Sequence, residues 1–133
     1  MKAIICIEDN NGLMFNKRRL SRDKEIVREL EDYLEDEDLV MNESSAVLFE
    51  DSSLNIRYEE IDETSDDYYF IEDNIINEII DNVTKLIIFK WNRRYPSDIK
   101  FNAQVLKEFK MKEYKEFAGN SHELLTMEVY YRK

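Results

Sequence analysis

A chain of 133 residues, 43% hydrophobic and 12% aromatic, supports one globular domain with its own core and excludes a disordered chain despite 37% charge. Its 30 Asp and Glu against 19 Lys and Arg leave a net charge of −11, which argues against direct nucleic-acid binding, because such affinity comes from neutralising phosphates. The single cysteine, Cys6, excludes an intrachain disulfide and a Cys-based zinc site. No apolar run nears the ~20 residues of a membrane span, and Glu8 interrupts the first apolar run too early for a signal peptide, so a cytoplasmic protein is expected.

Lys2 to Ile7 reads as a buried first strand, with Cys6 a small hydrophobe inside it. Turn formers follow at Asp9 to Gly12, then a mixed apolar and basic loop over Leu13 to Leu20. Ser21 is placed to cap a helix whose Ile26, Val27, Leu30, Tyr33 and Leu34 form one stripe. An acidic run from Asp32 to Asp38 closes it, and Leu39 to Met41 is a short strand. Asn42 is placed to cap a brief helix through Phe49. Leu54 to Tyr58 alternates as an outer strand does. Glu59 to Asp67 reads as a mobile polar connection.

Tyr68 to Ile71 is again a continuous apolar strand, followed by a helical repeat at Ile75, Ile76, Ile79, Ile80 and Val83, with Asp73 or Asn74 as cap. Leu86 to Phe89 is an uninterrupted apolar run that predicts a strand buried on both faces. The unit Tyr68 to Phe89 is strand, helix, strand, for which a right-handed parallel crossover is the default. Phe101 to Leu106 is weakly patterned. Segments from Phe109 and from Leu125, separated by a loop with Gly119 and Asn120, read as an antiparallel pair at the sheet edge.

The rare residues gather in three segments, 9–23, 91–98 and 118–123: both glycines, the only Pro (Pro96), the only Trp (Trp91) and the only His (His122). Were these three segments neighbouring loops at one end of the sheet, they would bring Arg18, Arg19, Arg22, Arg93 and Arg94 near Asp23, Trp91 and His122. Guanidinium forks suit a carboxylate or phosphate, and Trp91 or Tyr95, with Asn92 beside them, suits a flat ring. Asp23 and His122 are the candidate acid/base pair. Against this, the arginines could pair with the surplus acids, Trp91 could fill a core corner, His122 could be structural, and Asp23 could serve the helix dipole. The sequence holds no spacing typical of a Ser/His/Asp or Cys/His site, a Gly-rich phosphate loop or a metal site.

The order of elements resembles the dihydrofolate reductase fold: an α/β mixed sheet with a parallel centre, a C-terminal antiparallel pair and about three helices. Leu20-Ser21-Arg22-Asp23 is similar to that family's Leu-Pro-x-Asp/Glu, which implies the catalytic carboxylate at Asp23. The Asn11-Gly12 loop resembles its active-site loop, Lys85 to Ile88 its sixth strand, and Asn120-Ser121-His122 its final hairpin. Departures are equally specific. Glu72-Asp73 stands where the family's phosphate-binding Gly-Gly belongs, Asn42-Glu43 replaces Gly-Arg, Phe89 replaces a Thr, and Arg18 a Trp. No cofactor is therefore expected, and NADPH-dependent hydride transfer is not. Gly12 to Asp23, Trp91 to Asp98 and Ser121-His122-Glu123 also resemble short bacterial proteins sometimes labelled ribonuclease Z. That nuclease holds two zinc ions through several histidines, so one histidine does not imply zinc nuclease activity, and no metal is expected.

The resulting expectation is a non-redox protein of reductase-like fold that binds a small anionic ligand or nucleotide at an Arg-rich loop end. The alternatives are an acidic inhibitor of a basic protein partner, steered by charge, and an enzyme built on Asp23 and His122.

Overall fold

The computed structural model describes residues 1–133. Its strands are β1 (Lys2–Ile7), β2 (Gly12–Phe15), β3 (Arg18–Arg19), β4 (Asp38–Met41), β5 (Asn55–Tyr58), β6 (Tyr68–Phe70), β7 (Lys85–Lys90), β8 (Ile99–Lys100), β9 (Phe109–Phe117) and β10 (Leu125–Arg132). Helices α1 (Lys24–Leu34) and α2 (Ile75–Ile79) are joined by 3-10 turns at Glu43–Phe49, Ile80–Asn82 and Ala103–Glu108. No helix is long and apolar enough to cross a membrane.

Seven strands form one sheet in the order β5-β4-β6-β1-β7-β10-β9, parallel from β5 to β7 and antiparallel through β10 and β9. The apolar runs follow from this position. In β1 and β7 successive side chains enter opposite cores. Ile5, Leu86 and Ile88 join Ile76, Ile79 and Val83 in one. Ile4, Ile87 and Phe89 join Ile26, Leu30 and Leu34 of α1 in the other. Both faces are covered along most of β1 and β7, which is why their runs are apolar; within those runs only Cys6, near the end of β1, is partly uncovered.

Several local readings change. Leu13 to Leu20 is not a loop: β2 and β3 form a hairpin, which β8 extends to a three-stranded sheet. Its two-residue turn, Asn16-Lys17, takes φ of 51° and 62° without a glycine, so the usual hairpin signal is missing. The cap of α1 is Asp23, not Ser21: Asp23 is extended and its carboxylate accepts from the Glu25 N–H at 2.9 Å. The repeat after Asp73 yields only five α-helical residues before a 3-10 turn. Residues 59–67 are tied down: the Arg57 guanidinium bridges Asp38, Glu59 and Asp67, and Ile61 packs on the core.

Candidate functional site

Segments 9–23, 91–98 and 118–123 meet beyond the end of β7 through buried hydrogen bonds. Glu8, 2% exposed, accepts from the N–H groups of Asn10 (2.9 Å), Gly12 (2.8 Å) and Tyr95 (3.2 Å). Burial opposes its ionisation, yet these donors and Lys100 hold its pKa below the usual carboxylate range. The Asp9 N–H donates to Arg93 O at 3.0 Å, tying the first turn to the loop after Trp91.

Asp23 is the hub. Its side chain is fully buried and both oxygens are occupied. Oδ1 accepts from Glu25 N and, at 2.8 Å, from Asn120 N. Oδ2 accepts from Ser121 N at 2.8 Å and from His122 Nδ1 at 2.9 Å. Burial would raise its pKa, but the Asn120 N–H, the His122 ring and the N–H groups of Glu25 and Ser121 outweigh it and bring it to about 2. The fit leaves no room at Gly119, where a Cβ would lie 2.5 Å from His122 O and 2.7 Å from Asp23 Oδ2.

An ionised carboxylate only accepts, so Nδ1 of His122 carries a proton. Its Nε2 lies 2.9 Å from the Tyr95 hydroxyl and 3.2 Å from Ser21 Oγ. Those two hydroxyls are 3.3 Å apart. Trp91, itself buried, stacks on the imidazole with centroids 5.0 Å apart and planes at 24°. Asn92 takes positive φ and donates to Thr126 Oγ1 at 2.5 Å, which fixes the turn after Trp91. Ser21, His122 and Asp23 thus lie in the order hydroxyl, imidazole, carboxylate although 101 residues separate the first two. Sequence spacing carries no sign of it.

The arginines divide. Arg19 gives two 2.8 Å bonds to Glu72, so its charge is engaged inside the protein. Arg18, Arg22, Arg93 and Arg94 are exposed and form no ion pair; Arg93 lies over the Tyr95 ring at 5.9 Å. Beside this cluster is a cavity of about 360 Å³ between α1, the 43–49 turn and the end of β6. Cys6, Ile26, Val27, Phe49, Phe70 and Trp91 supply its apolar wall. Arg19, Ser21, Arg22, Asp23 and Glu72 lie along its polar side, whereas Arg18, His122 and residues 92–95 are not part of its lining. Cys6 reaches this wall only partly covered, and burial with nearby Glu72 pushes its thiol pKa well up. Glu8, Val27, Phe49 and Phe70 were not identifiable as lining or supporting residues. Only an acid closing a buried strand, at Glu8, distinguished any of them.

No protein-family model matches the chain, and no curated protein sequence does. Among solved structures it is similar to the dihydrofolate reductase from Enterococcus faecalis complexed with NADP(H) and RAB-propyl. The TM-score is 0.69 over 99% of this chain and 95% of that one, at 11% identity. The fold is that of the dihydrofolate reductases. At this identity the likeness carries the fold alone.

NADP(H) is the cofactor this fold implies, and the residues here do not fit it. Glu72 stands beyond β6, held by Arg19 and by the Ser45 hydroxyl at 3.0 Å. Asp73 Oδ1 accepts from Ile75 N at 3.0 Å and so occupies a donor at the start of α2. A pyrophosphate there meets two carboxylates and no glycine. Calorimetric titration with NADPH is expected to give no heat of binding at micromolar concentrations; a micromolar Kd would refute the argument.

Proposed function

We propose that this chain is a non-redox small-ligand binder, taking a flat, anionic molecule such as a mononucleotide or an aromatic carboxylate. The observation that carries the reading is the cavity, whose apolar wall ends at Arg22. A volume of about 360 Å³ is at the lower end of ordinary ligand sites. Phe49, Phe70 and Trp91 offer ring surface, and Arg22 is a cation without an internal counter-ion. Arg93 and Arg94, also unpaired, extend positive charge over the neighbouring loop.

Thermal-shift and calorimetric titration with nucleoside monophosphates and aromatic carboxylates test this. Arg22→Ala is expected to weaken binding by about tenfold or more, the worth of one charge-assisted hydrogen bond. Val27→Trp, which fills the cavity, is expected to abolish it with little change in Tm. If instead Arg93→Ala with Arg94→Ala abolishes binding and Val27→Trp does not, the ligand sits on the loop surface. No shift with any of these compounds rejects the proposal.

A second reading, an acidic protein that occupies a basic partner, is favoured by Glu35, Asp36, Glu50, Asp51 and Glu60. All are exposed and none forms an ion pair. Salt-sensitive capture of a basic polypeptide, with no small-molecule shift, is the result it expects.

A further inference from the structure

We infer that Ser21 is a nucleophile activated by His122 and Asp23, and that the site performs acyl transfer on a small carboxylic ester. Three observations meet at one point. Ser21 Oγ is 3.2 Å from His122 Nε2, within reach of a base. The imidazole is oriented from behind by a buried carboxylate, Nδ1 to Asp23 Oδ2 at 2.9 Å, and clamped by the Trp91 ring. Ser21 lines the cavity, with the buried Asp23 side chain at the same wall and His122 behind it. This is the relation of nucleophile, base and orienting acid that acyl transfer requires, recognised by geometry and not by chain order.

The Tyr95 hydroxyl shares this network. Donating to Ser21 Oγ at 3.3 Å, it leaves the Ser21 proton directed at Nε2. Donating to Nε2 at 2.9 Å instead, it takes the one lone pair that Ser21 needs, so the Tyr95-to-Ser21 arrangement is the reactive one. Arg22, next in the chain, lines the cavity and has no ion-pair partner, so its charge favours an oxyanion formed at Ser21.

In the step itself, Ser21 Oγ bonds to the ester carbonyl carbon and its proton passes to His122 Nε2. The carbon–oxygen bond to the alcohol breaks, and that proton leaves with the alcohol. Water then attacks the acyl-serine by the same route and releases the acid, so that ester and water give acid and alcohol. The substrate class rests on the cavity reading above: an ester with one apolar or aromatic portion seated against Phe49 and Phe70. The nucleophile assignment does not depend on it.

The test treats the whole chain with a short alkyl fluorophosphonate and locates the adduct by peptide mass spectrometry. One equivalent on Ser21 is expected, absent from Ser21→Ala, together with p-nitrophenyl acetate hydrolysis that falls at least about 100-fold in the same variant. Ser21 is half-exposed, so Ser21→Ala should keep its Tm and report chemistry alone. His122→Gln is expected to lose the adduct too. An adduct on Tyr95, one that persists in Ser21→Ala, or none at all, overturns the assignment. Ligand shifts with an unlabelled Ser21 would reject the chemistry and keep the binding site; a labelled Ser21 without shifts would do the reverse.

Discussion

Asp23→Ala is expected to destabilise the protein by about 3–5 kcal/mol, because each buried donor left without its acceptor costs ~1–3 kcal/mol. The substitution deletes the α1 cap and strands the N–H groups of Asn120 and Ser121 and the His122 ring, all of which now donate to this carboxylate. Asp23→Asn should do little better, because its amide cannot accept from every donor around it. Chemical denaturation gives the number; a loss under about 1 kcal/mol, no more than an ordinary cap, would show that the hub is not structural. The same group sets an acid limit. Its folded pKa, about 2, lies below the unfolded value near 4, so its contribution is fully present above pH ~4 and is lost as pH falls towards 2. In Asp23→Ala that acid-dependent part of the unfolding profile should be missing.

Ile88→Ala is expected to cost about 2–5 kcal/mol, lost transfer free energy plus the cavity left behind. Ile88 is fully buried on β7, with β1 on one side and β10 on the other. Its cross-strand neighbours Ile5 and Glu128 are also buried, which limits how far the site can collapse. A measured loss well under 2 kcal/mol would mean that β7 tolerates a void at the centre of the sheet.

How much of this the sequence showed follows from where the information lies. Leu86 to Phe89, with Ile4 and Ile5, are strand residues buried on both faces of the sheet, and unbroken apolar runs state that directly. The α1 stripe did the same, with Ile26, Leu30 and Leu34 buried. The hairpin at Asn16-Lys17 was hidden because two ordinary L-residues take positive φ there. The cap passed from Ser21 to Asp23 because Asp23 is held from outside the helix, by residues 120–122. For the site, the clustering of rare residues pointed to the right segments, while the partners within them were not legible. Arg19 binding Glu72, and Ser21 reaching His122, are contacts between residues 53 and 101 positions apart. No local pattern encodes such pairs.

β10 lies inside the sheet, between β7 and β9, and the residues just before it complete the shell around Asp23. A growing chain of about a hundred residues therefore has one edge of β7 unpaired and an uncompensated acid at the start of α1. Long-range closure of this kind slows folding and lengthens exposure of an aggregation-prone edge. Synthesis and folding are coupled here: the parallel half can assemble early, but residues 119–132 must be added before the domain is kinetically safe. Slow refolding, with hydrogen-exchange protection of β7 and β10 gained together, is the signature this topology imposes.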